Sequence, residues 1–293
     1  MSFRSGAVAV VGRPNVGKST LVNGLVGRKV GIVSEHPQTT RRDARAILTT
    51  DTYQLVFTDT PGFHKPRTLL GNRLNQLVGE AVQGVDAIVQ VVDAADGVGR
   101  GDAFVFERQV RGFDGPKLCA VNKLDAMRHR REVPQLQAAA DLGDWDEVVP
   151  ISATTGRGVE TLRDLLVARL PEGPALYPAE QVTDQPLEAW LAEIVREKAL
   201  GVTRQEVPHS IAVVVDELEE DEQLVRVHAS LIVERDSQKG IVIGRGGQTL
   251  KAIGSRARAE LEAALGRRVF LDLRVKVLRE WQRDPKALQR LGF

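Results

Sequence analysis

The sequence predicts an α/β protein in two parts: a doubly wound, mainly parallel sheet followed by a smaller α+β domain. Up to Pro171, short apolar runs alternate with longer amphipathic stretches, as strands and helices do in a parallel sheet. Four prolines between Pro171 and Pro186 then interrupt the alternation, and a different order of elements follows. The predicted parts are residues 1–171, a proline-rich linker 172–186 and a C-terminal domain 187–293.

The elements of the first part follow from the apolar runs. Residues 7–11 are the first predicted strand, and a helix begins at Lys18. Residues 44–50 and 53–59 are separated by two turn residues and predict an antiparallel hairpin at one edge of the sheet. The other predicted strands are 85–93, 118–122 and 148–151, and the predicted helices between them are 70–84, 102–112, 133–142 and 159–170.

A glycine-rich loop stands between the first predicted strand and helix. Its glycines allow backbone N–H groups to close around phosphates, its lysine reaches the β and γ oxygens, and its serine can ligate Mg²⁺. The helix that follows adds the positive end of its dipole. The alternative is a glycine-rich turn without a ligand. The pattern predicts that a triphosphate is bound by Gly12, Arg13, Pro14, Asn15, Val16, Gly17, Lys18, Ser19 and Thr20.

A second motif follows the strand predicted at 53–59. It places the Asp59 carboxylate at a strand tip, where it can hold the water shell of a magnesium ion. Gly62 lets the backbone turn toward a γ-phosphate. This motif adds the nucleotide-binding candidates Asp59, Thr60, Pro61, Gly62 and Phe63, of which Gly62 is also a switch candidate together with Lys18.

Two further strand ends carry groups that suit guanine. Asp125 can accept hydrogen bonds from the N1–H and the exocyclic amine of guanine, which adenine does not offer on that edge. Because an unpaired buried carboxylate costs about 1–3 kcal/mol or more, this residue can select the base. Taken alone, such an aspartate is usually a turn residue. The predicted base loops are Asn122, Lys123, Leu124 and Asp125, and then Ser152 and Ala153, where a backbone N–H of residues 151–153 can meet guanine O6.

These segments, together with residues 37–42 (Pro-Gln-Thr-Thr-Arg-Arg), resemble the guanine-nucleotide-binding domain of the translation-factor-like GTPases. The resemblance implies GTP or GDP with Mg²⁺ as cofactors. It also implies a switch threonine that completes the magnesium shell when GTP is bound. Aligning the switch pattern favours Thr40, with Thr39 as the alternative. The other interpretation of the paired threonines is a helix cap.

The catalytic pattern has a gap. Ras-like enzymes place glutamine after the glycine to orient the attacking water, whereas this chain has Phe63. An apolar ring cannot hold a water molecule, so either another group positions it or hydrolysis is slow without a partner. His64 is a weak candidate for that role. Related GTPases with asparagine at the position of Asn15 can hold a K⁺ ion that replaces an arginine finger, and the alternative is that Asn15 caps the loop or touches phosphate.

The C-terminal part has a helix-strand-strand-helix-helix-strand order, predicted at 187–200, 210–218, 224–234, 237–243, 248–265 and 269–277. With its glycine loop between two helices, this order resembles a type II (bacterial-type) KH domain. In that fold a G-x-x-G loop clamps the backbone of single-stranded nucleic acid. The alternative is a simple turn between helices. The resemblance implies RNA contacts by Gly244, Arg245, Gly246, Gly247 and Lys251.

Charge favours the nucleic-acid interpretation. From Gly240 to Phe293 there are twelve Lys and Arg and five Asp and Glu, a net charge of +7. The whole chain carries +1, so the residues before Gly240 carry −6. A basic module on an acidic body is typical of a protein with a phosphate-rich partner, although a solvated basic face has the same composition.

A GTPase domain joined by a proline-rich linker to a C-terminal KH domain resembles the bacterial Era GTPases, over essentially the whole chain. Trp281 and the last six residues resemble the tail of that family. The resemblance implies a factor in small (30S) ribosomal subunit assembly. Such a factor binds the 3′ end of the small-subunit (16S) ribosomal RNA and couples its release to GTP hydrolysis. It further implies peripheral association with the inner face of the cell membrane, although no amphipathic anchor in the sequence predicts this.

Composition limits the alternatives. With 42% hydrophobic and 27% charged residues, the chain is predicted to be an ordinary globular protein, and we expect a cytoplasmic monomer. No apolar run is long enough for a transmembrane segment, and no signal peptide is predicted. Cys119 lies in a predicted core strand, so a buried small residue is favoured over a nucleophile. Two other function classes remain: a metabolic P-loop kinase, and an RNA-binding protein with a vestigial nucleotide domain, which Phe63 favours.

Overall fold

The strands of the chain form a six-stranded and a three-stranded sheet within the part that the structure describes. The structure is a computed structural model that describes all residues except 1, 35, 37, 38, 42, 43, 64, 65, 67, 128–131 and 204–209. Two compact units contain these sheets. Most of the first unit precedes Gln185, and the second comprises Gln185–Phe293 with the described residues of two short segments, 34–37 and 67–70.

The first sheet has the strand order β2-β3-β1-β4-β5-β6. All neighbouring strands run parallel except β2 and β3, which form the predicted antiparallel hairpin at the edge. This confirms the predicted doubly wound, mainly parallel fold. The strands are β1 (Arg4–Val11), β2 (Arg45–Thr49), β3 (Tyr53–Asp59), β4 (Ala87–Asp93), β5 (Lys117–Asn122) and β6 (Glu147–Pro150).

Helices lie on both faces of this sheet. In β1, Val8 and Val10 belong to an apolar cluster with α1 and α5, whereas Ala9 and Val11 face α2 and α3. A strand that is buried on both faces is a continuous apolar run in sequence. The helices are α1 (Lys18–Val26), α2 (Leu69–Ala81), α3 (Arg100–Val105), α4 (Glu132–Ala140) and α5 (Val159–Arg169).

Two further features of the first unit are a π-helical turn after α3 and a buried cysteine in β5. The helix predicted at 102–112 starts two residues earlier and changes at Phe106–Val110 to a π-helical turn, in which the Arg111 N–H donates to the Phe106 carbonyl at 2.9 Å. Cys119 is fully buried in β5, and burial raises the pKa of its thiol. The structure therefore places Cys119 in the core, as the sequence favoured.

The proline-rich segment that follows α5 is hydrogen-bonded to the side chain of a buried glutamine in β3. Gln54 Oε1 accepts from the N–H groups of Leu176 and Tyr177 at 2.7 and 2.9 Å. Its Nε2 donates to the Tyr177 carbonyl at 2.9 Å and to Thr49 Oγ1 at 2.8 Å. Farther along, the Ile47 N–H of β2 donates to the Val182 carbonyl at 2.9 Å. The proline-rich segment is thus attached to the open edge of the hairpin.

The second unit has the predicted order of elements. In its sheet, β7 runs antiparallel to β8, and β8 runs parallel to β9. The elements are α6 (Leu187–Val202), β7 (Ala212–Glu220), β8 (Leu224–Val233), α7 (Asp236–Ile243), α8 (Gln248–Leu265), β9 (Arg268–Val277) and α9 (Pro285–Arg290). This bears out the smaller α+β domain of type II KH order.

The tail folds back onto the second unit. Trp281 is fully buried, its Nε1–H donates to the Ser210 carbonyl at 3.0 Å, and its ring stacks on Phe293 at 5.7 Å between centroids. Among the described helices, none has the length and apolar character needed to cross a bilayer.

We expect Gln54→Leu to lower the free energy of unfolding by about 1–3 kcal/mol, because it leaves the Leu176 and Tyr177 N–H groups without their acceptor. Urea unfolding followed by circular dichroism measures this. The matched control is Gln76→Leu, since Gln76 is exposed and bonds only Glu80 within α2 in the described structure. Equal stability of the two variants would contradict the attachment of this segment through Gln54.

Candidate functional site

The loop between β1 and α1 is closed by backbone contacts that exclude side chains. A Cβ on Gly12 would lie 2.5 Å from the Val91 carbonyl oxygen of β4. A Cβ on Gly17 would lie 2.3 Å from Asn122 Nδ2, and the φ angles of these glycines are 155° and 98°. Both positions therefore require glycine. The predicted phosphate loop is built as a tight arc from Gly12 to Gly17.

Lys18 lies inside this arc. Its Nζ donates to the carbonyl oxygens of Arg13 at 2.9 Å and Gly12 at 3.2 Å. Burial lowers the pKa of Lys18 to about 8, and the nearby Asp59 charge opposes this shift. A buried ammonium held only by carbonyl oxygens is suited to exchange these partners for an anion.

A cluster of oxygen donors lies beside Lys18. Ser19 Oγ and Thr40 Oγ1 are 3.1 Å apart, and Thr40 Oγ1 donates to Asp59 Oδ2 at 3.2 Å. Burial raises the pKa of Asp59, whereas hydrogen bonds from Ser19 and Thr40 and the Lys18 charge lower it. Of the two switch candidates Thr39 and Thr40, the structure brings Thr40 into this cluster.

The cluster fits a magnesium ion. Hydroxyl and carboxylate oxygens are the ligands that Mg²⁺ prefers, and Asp59 Oδ1 is buried without a hydrogen-bond partner in the described structure. Of the switch segment, residues 37, 38 and 42 lie outside the described residues.

The segment after β3 crosses over the loop. Thr60 Oγ1 donates to the Val10 carbonyl at 2.7 Å, and a Cβ on Gly62 would lie 2.6 Å from Pro14 Cα. The Phe63 ring stacks on Phe104 with 5.4 Å between centroids and packs against the apolar cluster under α2 and α3. Its side chain thus serves packing and offers no polar group to a water molecule. His64 lies outside the described residues.

Asn122 and Lys123 join the base loop to the phosphate loop. Asn122 Nδ2 donates to the Val16 carbonyl at 2.8 Å, and its Oδ1 accepts from the Ala153 N–H at 2.9 Å. Lys123 Nζ donates to the Asn15 carbonyl at 2.7 Å and lies 2.6 Å from Asp93 Oδ2. The sequence assigned both residues to reading the base. In the structure their polar groups bind protein, because the two loops meet here, and contact of these residues with the base stays a prediction.

Asp125 is the exposed carboxylate of the base loop, and Leu124 beside it is buried. Asp125 Oδ1 accepts from Ser152 Oγ at 2.6 Å. The N–H groups of Ser152 and Ala153 donate to the Arg157 carbonyl and to Asn122 Oδ1, both at 2.9 Å. In this structure the Ser152 amide thus bonds within the turn after β6, and the Ala153 amide bonds the loop after β5. A contact of either amide with guanine O6 stays a prediction.

Sequence reasoning missed three aspartates between the last residue of β4 and the first turn of α3. Asp93 pairs with Lys123, whereas Asp96 and Asp102 bind the side chain of Arg13. The available signal was that Asp93 ends a predicted strand, as Asp59 and Asn122 do. Arg13 contributes its carbonyl to the loop interior, but its guanidinium is bound to α3.

The glycine loop of the second unit also needs its glycines. Gly244, Gly246 and Gly247 have φ angles of 74°, 59° and 79°, and a Cβ on Gly244 would lie 2.2 Å from Thr249 Oγ1. Arg245 is exposed in the same turn, and α8 begins directly after it. An exposed backbone turn at a helix N-terminus suits close approach of a phosphate.

A groove of about 420 Å³ adjoins this turn and runs between α8 and β9. Basic side chains and apolar side chains share its walls. Such a mixture suits a nucleic-acid strand, whose phosphates need positive charge and whose bases need apolar or stacking surfaces. The lining residues are Gly247, Leu250, Lys251, Gly254, Ser255, Arg258, Leu271 and Leu273.

Two family models match the chain. Residues 7–123 match a family described as 50S ribosome-binding GTPase, and residues 206–282 match the KH domain. Proteins named GTPase Era from Mycobacterium avium and from Mycobacterium tuberculosis are each 51% identical to this chain, and each alignment covers 99% of both sequences.

Two solved structures of Era resemble the structure closely. One is a complex with MgGDPNP and nucleotides 1506–1542 of 16S ribosomal RNA, and the other is a variant of Aquifex aeolicus Era bound to GDP.AlF4⁻. Each has a TM-score of 0.95 and 37% identity, and each comparison covers 99% of both chains. The first of these relatives thus carries both a nucleotide and ribosomal RNA, and the second carries a nucleotide.

Proposed function

The chain belongs to the Era family of GTPases, and from this premise we propose that it binds and hydrolyses GTP, binds 16S ribosomal RNA and acts in assembly of the small ribosomal subunit. The observation that carries the proposal is the cluster of Ser19, Thr40 and Asp59 beside the buried Lys18, in a chain that also holds a glycine loop with a basic groove. We further propose that the protein is a cytoplasmic monomer, with peripheral association at the inner face of the membrane.

Phosphate binding requires a change of partners at Lys18. The ammonium exchanges the Gly12 and Arg13 carbonyls for β and γ oxygens, and the loop N–H groups close around the same phosphates. Since the group is already desolvated, its attraction to phosphate is strong. The complexes of the Era relatives with MgGDPNP and with GDP.AlF4⁻ support this assignment.

Mg²⁺, when bound, neutralises charge that develops on the β and γ phosphates during transfer. Ser19 and Thr40 would hold the ion directly, and Asp59 would hold it through water. We expect Thr40 to hold the ion only when a γ-phosphate is present, as the switch threonine does in other GTPases.

Base selection falls to Asp125. Its carboxylate accepts from the guanine N1–H and exocyclic amine, while the Ser152 hydroxyl holds Oδ1 in place. Asn122 and Lys123 contribute by fixing this loop to the phosphate loop, at 2.8 and 2.7 Å. Selection and phosphate binding are thereby coupled through side chains.

Turnover is expected to be slow without a partner. Because Phe63 packs on Phe104, it does not orient water. We expect a turnover of about 10⁻⁴ to 10⁻² s⁻¹, by comparison with small GTPases that act without a partner. A K⁺ ion held at Asn15, which has a left-handed backbone with φ of 64°, would supply positive charge to the transition state. Faster turnover in K⁺ than in Na⁺ would support this role of Asn15.

We expect Asp125→Asn to lose GTP and to gain xanthosine triphosphate, because an amide donates a hydrogen bond where the carboxylate only accepts. Competition binding with a fluorescent nucleotide measures both affinities. Asp51→Asn, at an exposed hairpin turn, is the control for the loss of one negative charge. An unchanged GTP preference in the Asp125 variant would contradict the base assignment.

We expect Thr40→Ala to spare GDP binding and to weaken Mg²⁺·GTP binding by roughly tenfold, or ~1.4 kcal/mol, since the threonine ligates only when a γ-phosphate is present. Titrations with GDP and with a slowly hydrolysed GTP analogue make the comparison. If Thr39→Ala has this effect instead, the switch threonine is Thr39.

The whole proposal is tested by GTP turnover of the full chain with and without RNA of the 16S 3′ end. The double variant Arg245→Asp and Gly246→Asp should lower RNA affinity at least about tenfold, because it places negative charge where the backbone must approach. Its GTP turnover without RNA should equal that of the wild type. The charge-matched control is Gln289→Asp with Arg290→Asp on the exposed face of α9.

Two results would contradict the proposal. Absence of phosphate release by the wild type, with RNA binding intact, would leave an RNA-binding protein with a vestigial nucleotide domain. RNA binding that survives equally in the loop variant and in the α9 control would remove the glycine loop from the RNA site.

A further inference from the structure

The side chain of Arg13 points away from the phosphate loop and binds the first turn of α3 and the segment that precedes it. Its Nε donates to Asp102 Oδ1 at 2.8 Å, its Nη2 to the Gly97 carbonyl at 3.1 Å and its Nη1 to Asp96 Oδ2 at 3.3 Å. These contacts use all three nitrogens of the guanidinium. In this conformation the charge of Arg13 is directed at α3 and not at the inside of the loop.

Asp102 is a fixed anchor for the arginine. Its side chain is fully buried, and its second oxygen accepts from the Gly99 N–H at 3.0 Å. Its carbonyl accepts from Nε2 of the buried Gln90, in the middle of β4, at 2.9 Å. A fully buried carboxylate requires a charged partner, and Arg13 is that partner. Asp96, in contrast, is 72% exposed and contributes little.

Gly101 makes room for this contact. A Cβ at Gly101 would lie 2.5 Å from Arg13 Cδ. Gly101 is the second residue of α3, and its lack of a side chain leaves this space open. The stem of Arg13 lies across the start of α3 in the space that a larger residue would fill.

The arginine holds the part of the loop that presents its carbonyls to Lys18. The Gly12 and Arg13 carbonyls accept from Lys18, and the Asn15 carbonyl accepts from Lys123, which pairs with Asp93 at the end of β4. The loop is therefore attached at two points, through Arg13 to Asp96, Gly97 and Asp102, and through Lys123 to the end of β4. The backbone of Gly62 also lies against Pro14 of the loop.

We propose that Arg13 is a positioning residue for phosphoryl transfer. Through Asp102 it fixes the arc of the loop, so that the loop N–H groups and Lys18 meet the β and γ phosphates in reactive geometry. It acts through the backbone and does not contact phosphate. This role rests on the proposed GTP hydrolysis.

The test is single-turnover hydrolysis at saturating GTP by the full chain. Arg13→Ala should lower the rate by about tenfold to a hundredfold, as expected for misplaced reacting groups, with a smaller change in GTP affinity. Gly101→Ala keeps both charges but displaces the guanidinium, and it should reproduce the defect. Arg13→Lys, which restores one bond to Asp102, should recover part of the rate. Asp96→Asn should stay within about twofold of the wild type.

Three outcomes would overturn the proposal. The first is a lower melting temperature of Arg13→Ala with an unchanged rate, which indicates a structural role alone. The second is a loss of GTP affinity in Arg13→Ala that Gly101→Ala and Asp102→Asn do not share, which indicates a direct phosphate contact. The third is equal rates in Arg13→Ala and Asp96→Asn.

Failure of the proposed function is distinguishable from failure of this inference. If the wild type releases no phosphate, GTP hydrolysis is refuted. The dissociation rate of a fluorescent GDP analogue then tests whether the contact between Arg13 and Asp102 holds the loop in its nucleotide-binding form. Faster release from Arg13→Ala than from Asp96→Asn would still place Arg13 in control of the loop. Equal release would remove it from that role.

Discussion

The candidate nucleotide site depends on one buried side-chain amide. Asn122 binds the Val16 carbonyl with its nitrogen and the Ala153 N–H with its oxygen, so three loops are joined at one point. The amide fits there because Gly17 has no Cβ, which would lie only 2.3 Å from its nitrogen. Loops have no hydrogen-bond ladder of their own, so bonds of this kind set their distances. The separation of the phosphate and base subsites is fixed by Asn122.

The same site holds charges that are unfavourable for folding. Lys18 and Asp59 are both buried, and burial shifts the pKa of each toward its neutral form. One oxygen of Asp59 has no hydrogen-bond partner in the described structure. Buried polar groups with incomplete partners lower stability, and they are typical of sites that bind charged ligands. The surrounding sheet is buried on both faces, and its apolar packing offsets the cost of these buried polar groups.

The sequence predicted those features that depend on the local pattern of residues. Strand positions followed from apolar runs, and the glycines of both loops indicated the backbone turns that φ angles of 98° at Gly17 and 79° at Gly247 now show. The directions of long side chains were not predictable. Arg13 and Lys123 turn toward aspartates distant in sequence, and which loop lies near them depends on how the strand ends meet. The attachment of residues 176 and 177 to Gln54 was not predictable for the same reason. The prolines in this segment indicated only that the alternation of strands and helices stops there.

The two glycine loops of the chain use one backbone device for different ligands. Both α1 and α8 begin after a glycine in the left-handed conformation, and at neither is there a side-chain cap. The first loop encloses a buried lysine beside a carboxylate and two hydroxyls, which suits a compact phosphate group with its metal ion. The second is open, and exposed Lys251 and Arg258 share its groove with leucines. That environment suits repeated phosphates carrying bases, so the surroundings, and not the glycines, decide between nucleotide and RNA.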